Sequence, residues 1–87
     1  MNIIIDRIVS KSELAATLKR VEGFPNYVAD NWDSIEECLA SFISSSGEKI
    51  KIIHHFPMEA AQERMGSYLP ILKDLQAEFP SFNVEFQ

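Results

Sequence analysis

The chain has 87 residues and a formal charge of -5, with 13 acidic residues against eight Lys and Arg. That length fits a single domain, 1–87, with one two-layer core, and the acidic balance speaks against a nucleic-acid binder, which would carry a basic face. Apolar residues make up 46% and charged residues 24%, an ordinary globular mixture that excludes a disordered chain.

The start, "MNIIIDRIVS", has no basic leader region, and its apolar run is too short for a signal segment. No stretch approaches the roughly 20 apolar residues of a membrane span. Cys38 is the only cysteine, so no internal disulfide forms, which fits a reducing compartment. The expected location is the cytoplasm. "NIII" is a short β-branched run and reads as a buried strand. "SKSELAATLKRV" opens on Ser10-x-x-Glu13, a capping-box spacing, with Ser12 as a second candidate cap. Leu14, Leu18 and Val21 then recur at helical spacing, and Gly23 and Pro25 close that helix.

Residues 30–43 read as a second helix, capped by Asp30 or Asn31, and "SSSG" at 44–47 reads as a loop. "KIKIIHHF" reads as a strand in which Ile50, Ile52 and Ile53 are buried. Pro57 suits the first position of a helix over "PMEAAQERM". A further helix is expected from about Leu69 to Phe79, with Leu72, Leu75 and Phe79 on one stripe and Pro80 as its stop. In "FNVEF", Phe82, Val84 and Phe86 face one way and Asn83 and Glu85 the other, a half-exposed strand. The order β-α-α-β-α-α-β separates the strands by helices. It predicts an α/β fold: a three-stranded parallel sheet with right-handed crossovers and helices packed on it.

The second helix carries the most information. At roughly 100° per residue, Ile35, Cys38, Leu39 and Phe42 share one arc, with Trp32 and Ile43 at its edge. Asp30, Asp33 and Glu37 fall opposite, with Ala40 and Ser41, while Glu36 lies between the faces beside Trp32. Asp33 and Glu37 form a like-charge pair at i,i+4, which costs about 0.2–0.5 kcal/mol, and no Lys or Arg on the helix offsets it. An ordinary acidic surface helix explains this as well as a binding face does, because the penalty is small. Tyr27 and Val28 lie just before the helix and Trp32 at the edge of its apolar stripe. An aromatic beside a like-charged patch is the composition of an interface anchor, while a loop residue covering the core is the alternative for Tyr27. Core packing is the stronger reading for Trp32 alone.

The segment "FPNYVADNWDSIEECL" resembles the one that defines the barstar family, intracellular inhibitors of the secreted bacterial ribonuclease barnase. The shared pattern is Pro25, Tyr27, an acid at 30, Asn31, Asp33, an acid at 37, then Cys38 and Leu39, and the element order agrees along nearly the whole chain. The resemblance implies a barstar-like parallel sheet and an acidic helix that plugs the basic active site of a ribonuclease. By register it implies that Tyr27, Asp33 and Glu37 contact the enzyme, with Asp74 on the last long helix as a further contact. It implies that Glu37 occupies the enzyme's phosphate site. Trp32, Glu36 and Phe42 are expected around that centre. Glu37 stands where the family has an aspartate, and Glu36 replaces a tryptophan. Val28 and Ala29 replace a tyrosine and a glycine, and Ser41 replaces another glycine. The partner implied is therefore a basic, barnase-like or other nuclease toxin, not barnase itself.

Rival functions leave weaker traces. His54 and His55 are adjacent on a strand, so their side chains point to opposite faces and cannot share a catalytic site. Cys38 falls on the core arc and reads as an inert thiol. Asp33 and Glu37 have no histidine at i+3 to complete a metal site. The expectation is a protein without catalysis, cofactor or metal, binding neither nucleic acid nor membrane, and monomeric when free. An acidic adapter for some other basic protein remains the alternative.

Overall fold

The computed structural model describes residues 1–7 and 10–87. Among these, the elements run β1 (Asn2–Ile5), α1 (Lys11–Lys19), α2 (Trp32–Ser46), β2 (Ile50–His54), α3 (Met58–Arg64), α4 (Tyr68–Glu78) and β3 (Phe82–Phe86). The order is the expected one. β2 is central and pairs in parallel with both neighbours, so that Ile3, Ile52 and Val84 lie in one row across the sheet.

Strand alternation gives the sheet two unlike faces. On one, Ile3, Ile5, Ile50, Ile52, His54 and Phe82 are buried and meet Leu14, Leu18, Ile35, Leu39, Leu72 and Leu75 of the helices in one core. On the other, Asn2, Ile4 and Asn83 are exposed and Lys51, Ile53 and Glu85 half-buried. The expected burial of the whole "NIII" run and of Ile53 is thus corrected: Ile4 is 42% exposed. The helices cover one face only, so a β-branched run need not be buried on both sides. The open face is tied by an ion pair between Lys51 Nζ and Glu85 (2.8 Å).

The helix ends follow from backbone donors and acceptors. Ser10 caps α1, accepting from the Glu13 N–H (3.1 Å), so the Ser10 alternative holds over Ser12. Helix α2 does not stop at residue 43. It continues through the serines to Ser46, because Phe42 and Ile43 keep that turn anchored in the core, and it ends at Gly47 with φ 71°. That left-handed conformation suits glycine. Pro57 is the cap of α3 and not its first residue, its carbonyl accepting from the Ala61 N–H (3.3 Å). Helix α4 starts one residue earlier than expected and ends at Glu78. Pro70 lies in its first turn, where backbone N–H groups have no helical acceptor to lose. Among the described residues no helix is long and apolar enough to cross a membrane.

Candidate functional site

The segment before α2 is held at several points. Phe24 and Val28 are both buried in the core, and between them Tyr27 is 67% exposed. The Ala29 N–H donates to Ser34 Oγ (2.9 Å), and the Ser34 N–H donates to Asn31 Oδ1 (2.8 Å). Asn31 is therefore the cap of α2, while Asp30 is exposed ahead of the helix and caps nothing. Two anchored side chains and a hydrogen-bonded amide leave the Tyr27 ring projecting to solvent.

Helix α2 sets its faces as the wheel predicts. Ile35, Cys38, Leu39, Phe42 and Ile43 are buried, and Asp33, Glu37 and Ser41 are exposed. Asp33 lies in the first turn, where its charge is favoured by the helix dipole; Glu37 lies one turn further and gains little. Among the described residues no ion pair reaches Asp33, Glu36, Glu37 or Asp74. The helix thus presents carboxylates to solvent with their charge uncompensated. Asp74 is exposed on α4.

The expected rim is less uniform. Glu36 is half-buried. Trp32 is also half-buried, its ring stacked on Tyr68 of α4 (centroids 6.1 Å apart, planes at 24°). Phe42 is a core residue, 4% exposed and tilted against Phe24 at 5.2 Å. Its place at the rim is corrected: the ring backs the Phe24 end of the loop from inside and offers no surface to a partner.

Behind Trp32 lies a buried polar pair that the sequence did not reveal. Tyr68 and His54 are both fully buried. His54 Nδ1 is 2.9 Å from the Glu85 carbonyl, which can only accept, so Nδ1 carries the proton. The Nε2 then accepts from the Tyr68 hydroxyl at 2.8 Å. Phe86 stacks on the imidazole at 4.2 Å. Burial lowers the His54 pKa, with the Glu85 carbonyl partly opposing it. Burial also pushes the Tyr68 hydroxyl well above its ordinary value. The two histidines do face opposite ways, since His55 is exposed and 3.2 Å from Asp6. Cys38 is 1% exposed, among core side chains.

Ser34 and Tyr68 are the residues the sequence reading missed. Asn31-x-x-Ser34 was legible as a cap spacing, but a serine that reaches back to an amide five residues earlier leaves no periodic signal. Chemically, the exposed residues of this stretch are a phenol ring at Tyr27 and the α2 carboxylates Asp33 and Glu37, groups suited to meeting cationic side chains. The family model described as Barstar (barnase inhibitor) matches residues 1–87. No curated protein and no solved structure matches the chain.

Proposed function

The chain belongs to the barstar family of barnase inhibitors, and from that premise we propose that it blocks the basic active site of a bacterial ribonuclease toxin with α2 and the loop before it. The observation that carries this reading is the carboxylate pair Asp33 and Glu37 on the exposed face of α2, which no ion pair reaches among the described residues, on the helix that follows the exposed Tyr27. A ribonuclease site is basic because it holds RNA phosphates and stabilises their charge during cleavage. Carboxylates fixed at helical spacing imitate those phosphates. Their mutual repulsion costs the free protein about 0.2–0.5 kcal/mol per pair and is relieved by the enzyme's Arg and Lys.

In this reading Tyr27, Asp33 and Glu37 form the centre of the surface and Asp74 its margin. Glu36 and the outer edge of Trp32 flank it. The protein acts by occlusion, with no catalysis and no cofactor, and in the cytoplasm, where a stray toxin would meet RNA. The test is capture on immobilised protein from producing cells or their neighbours, followed by a ribonuclease assay. The expected result is a basic ribonuclease inhibited at one-to-one stoichiometry. Capture of a basic protein without nuclease activity would favour the adapter reading instead.

A further inference from the structure

We propose that Ser34 is a positioning residue for the docking surface: its hydroxyl holds the Tyr27 loop in the conformation that the partner meets. The proposal rests on the inhibitor reading above and adds to it the part that fixes the loop.

Residues 20–31 connect α1 and α2, and in their second half Asn26, Tyr27, Ala29 and Asp30 are all exposed. Burial of Phe24 and Val28 pins two side chains but leaves the backbone after Val28 free to rotate. The Ala29 N–H to Ser34 Oγ bond (2.9 Å) closes that freedom by tying the loop to the third residue of α2. Ser34 is itself held, because its own N–H donates to the Asn31 cap (2.8 Å). One residue thus joins the loop, the cap and the helix that bears Asp33 and Glu37. The position of Tyr27 relative to the carboxylates is set before any partner arrives.

The energetic consequence falls on binding more than on folding. Ala29 is exposed, so an amide released from Ser34 bonds to water. The Asn31 cap uses the Ser34 backbone and survives side-chain removal. Alanine is also the better helix former. A Ser34→Ala protein should therefore keep its melting temperature. What it loses is a pre-set loop, and an unset loop is ordered at the partner's surface at the expense of affinity. Because only the competent fraction docks, the loss appears in the association rate.

The experiment compares wild type, Ser34→Ala and Ser34→Thr. In the free protein, amide exchange at Ala29 and backbone order parameters over Asn26–Ala29 are measured by NMR. Alanine should speed exchange at Ala29 and loosen the loop, and threonine, which keeps the hydroxyl, should restore both. An unchanged loop in Ser34→Ala overturns the clasp. Stopped-flow association is then measured against the captured ribonuclease. Freeing about one backbone residue should slow association about tenfold, with dissociation nearly unchanged. A faster dissociation with unchanged association would make Ser34 a contact residue and overturn the positioning role. If wild-type protein engages no ribonuclease, the inhibitor reading falls and takes the docking role with it; the free-protein measurement then judges the clasp by itself.

Discussion

Asp33 and Glu37 are exposed on a helix that has no cation to pair with them. Alanine at either position should cost about 2 kcal/mol or more in binding to the captured partner, as hot-spot truncations do. Stability should hold or rise slightly for Glu37→Ala, because a repulsion of about 0.2–0.5 kcal/mol is removed. It should hold or fall slightly for Asp33→Ala, which also gives up a favourable helix-dipole interaction of about 0.3–1 kcal/mol. Titration calorimetry and thermal melts on the same variants check both halves, and normal binding by both would sink the site. His54 makes a second residue-scale claim. The folded ring is neutral: its pKa is lowered by burial, and its Nε2 is committed to accepting from Tyr68. Between the lowered folded value and the ordinary value near 6.5, the unfolded chain binds more protons, so stability rises with pH there. The stabilisation is complete above about pH 6.5 and is lost as pH falls below it, by at most about 1.4 kcal/mol per pH unit. Urea unfolding from pH 7 to 5 should show this slope in wild type and in His55→Gln, and a flatter one in His54→Gln.

At the scale of the element, α2 is fixed at both ends by single residues. Asn31 accepts from the Ser34 N–H at its start, and Asn31→Ala should destabilise the protein by about 1 kcal/mol. Gly47 closes the other end at φ 71°, and a Cβ there would meet no atom within 4 Å. Gly47→Ala is thus free of clash and its cost is backbone strain, about 1–2 kcal/mol. Denaturant midpoints measure both. A Gly47→Ala protein as stable as wild type would mean that α2 can end in another conformation. Serines at 44–46 are middling helix formers, and the last turn persists because Phe42 and Ile43 are packed and Ser46 Oγ accepts from the Glu48 N–H (3.2 Å).

At the scale of the whole molecule, the charge of -5 and the exposed carboxylates act at long range. Capture of a basic enzyme should be steered, so the association rate should fall steeply as salt rises. Screening already shortens the reach of charge to about 10 Å at 0.1 M. Dissociation should change much less, since contacts buried in the complex are poorly screened. Glu36→Gln, at the edge of the acidic face, should mainly slow association. Glu37→Gln, at its centre, should mainly speed dissociation. Stopped-flow rates at several salt concentrations decide it, and an association rate indifferent to salt would leave the generic adapter as the better account.

Periodicity was enough to place the strands and helices in order and to turn α2 the right way round, because which side of an element is apolar is written locally. The outward placing of the acids at 33 and 37 was legible for the same reason, because they lie on a helix whose inward residues are clear, whereas Tyr27 and Asp74 came from the resemblance to the barstar family and not from any periodicity. The remainder needed residues distant in the chain. Ile4 and Ile53 look as buried as their neighbours, and only the stacking of the helices on one face of the sheet leaves them outside. Alternation sets His54 and His55 on opposite faces, but which one enters the core depends on the partners that meet it, Tyr68 14 residues on and Glu85 31 residues on. Phe42 lies under Phe24 for a similar reason. The hydroxyl of Ser34 reaches the Ala29 amide only once Phe24 and Val28 have drawn the loop against the helix, so the hold on Tyr27 belongs to the tertiary structure and not to any local pattern.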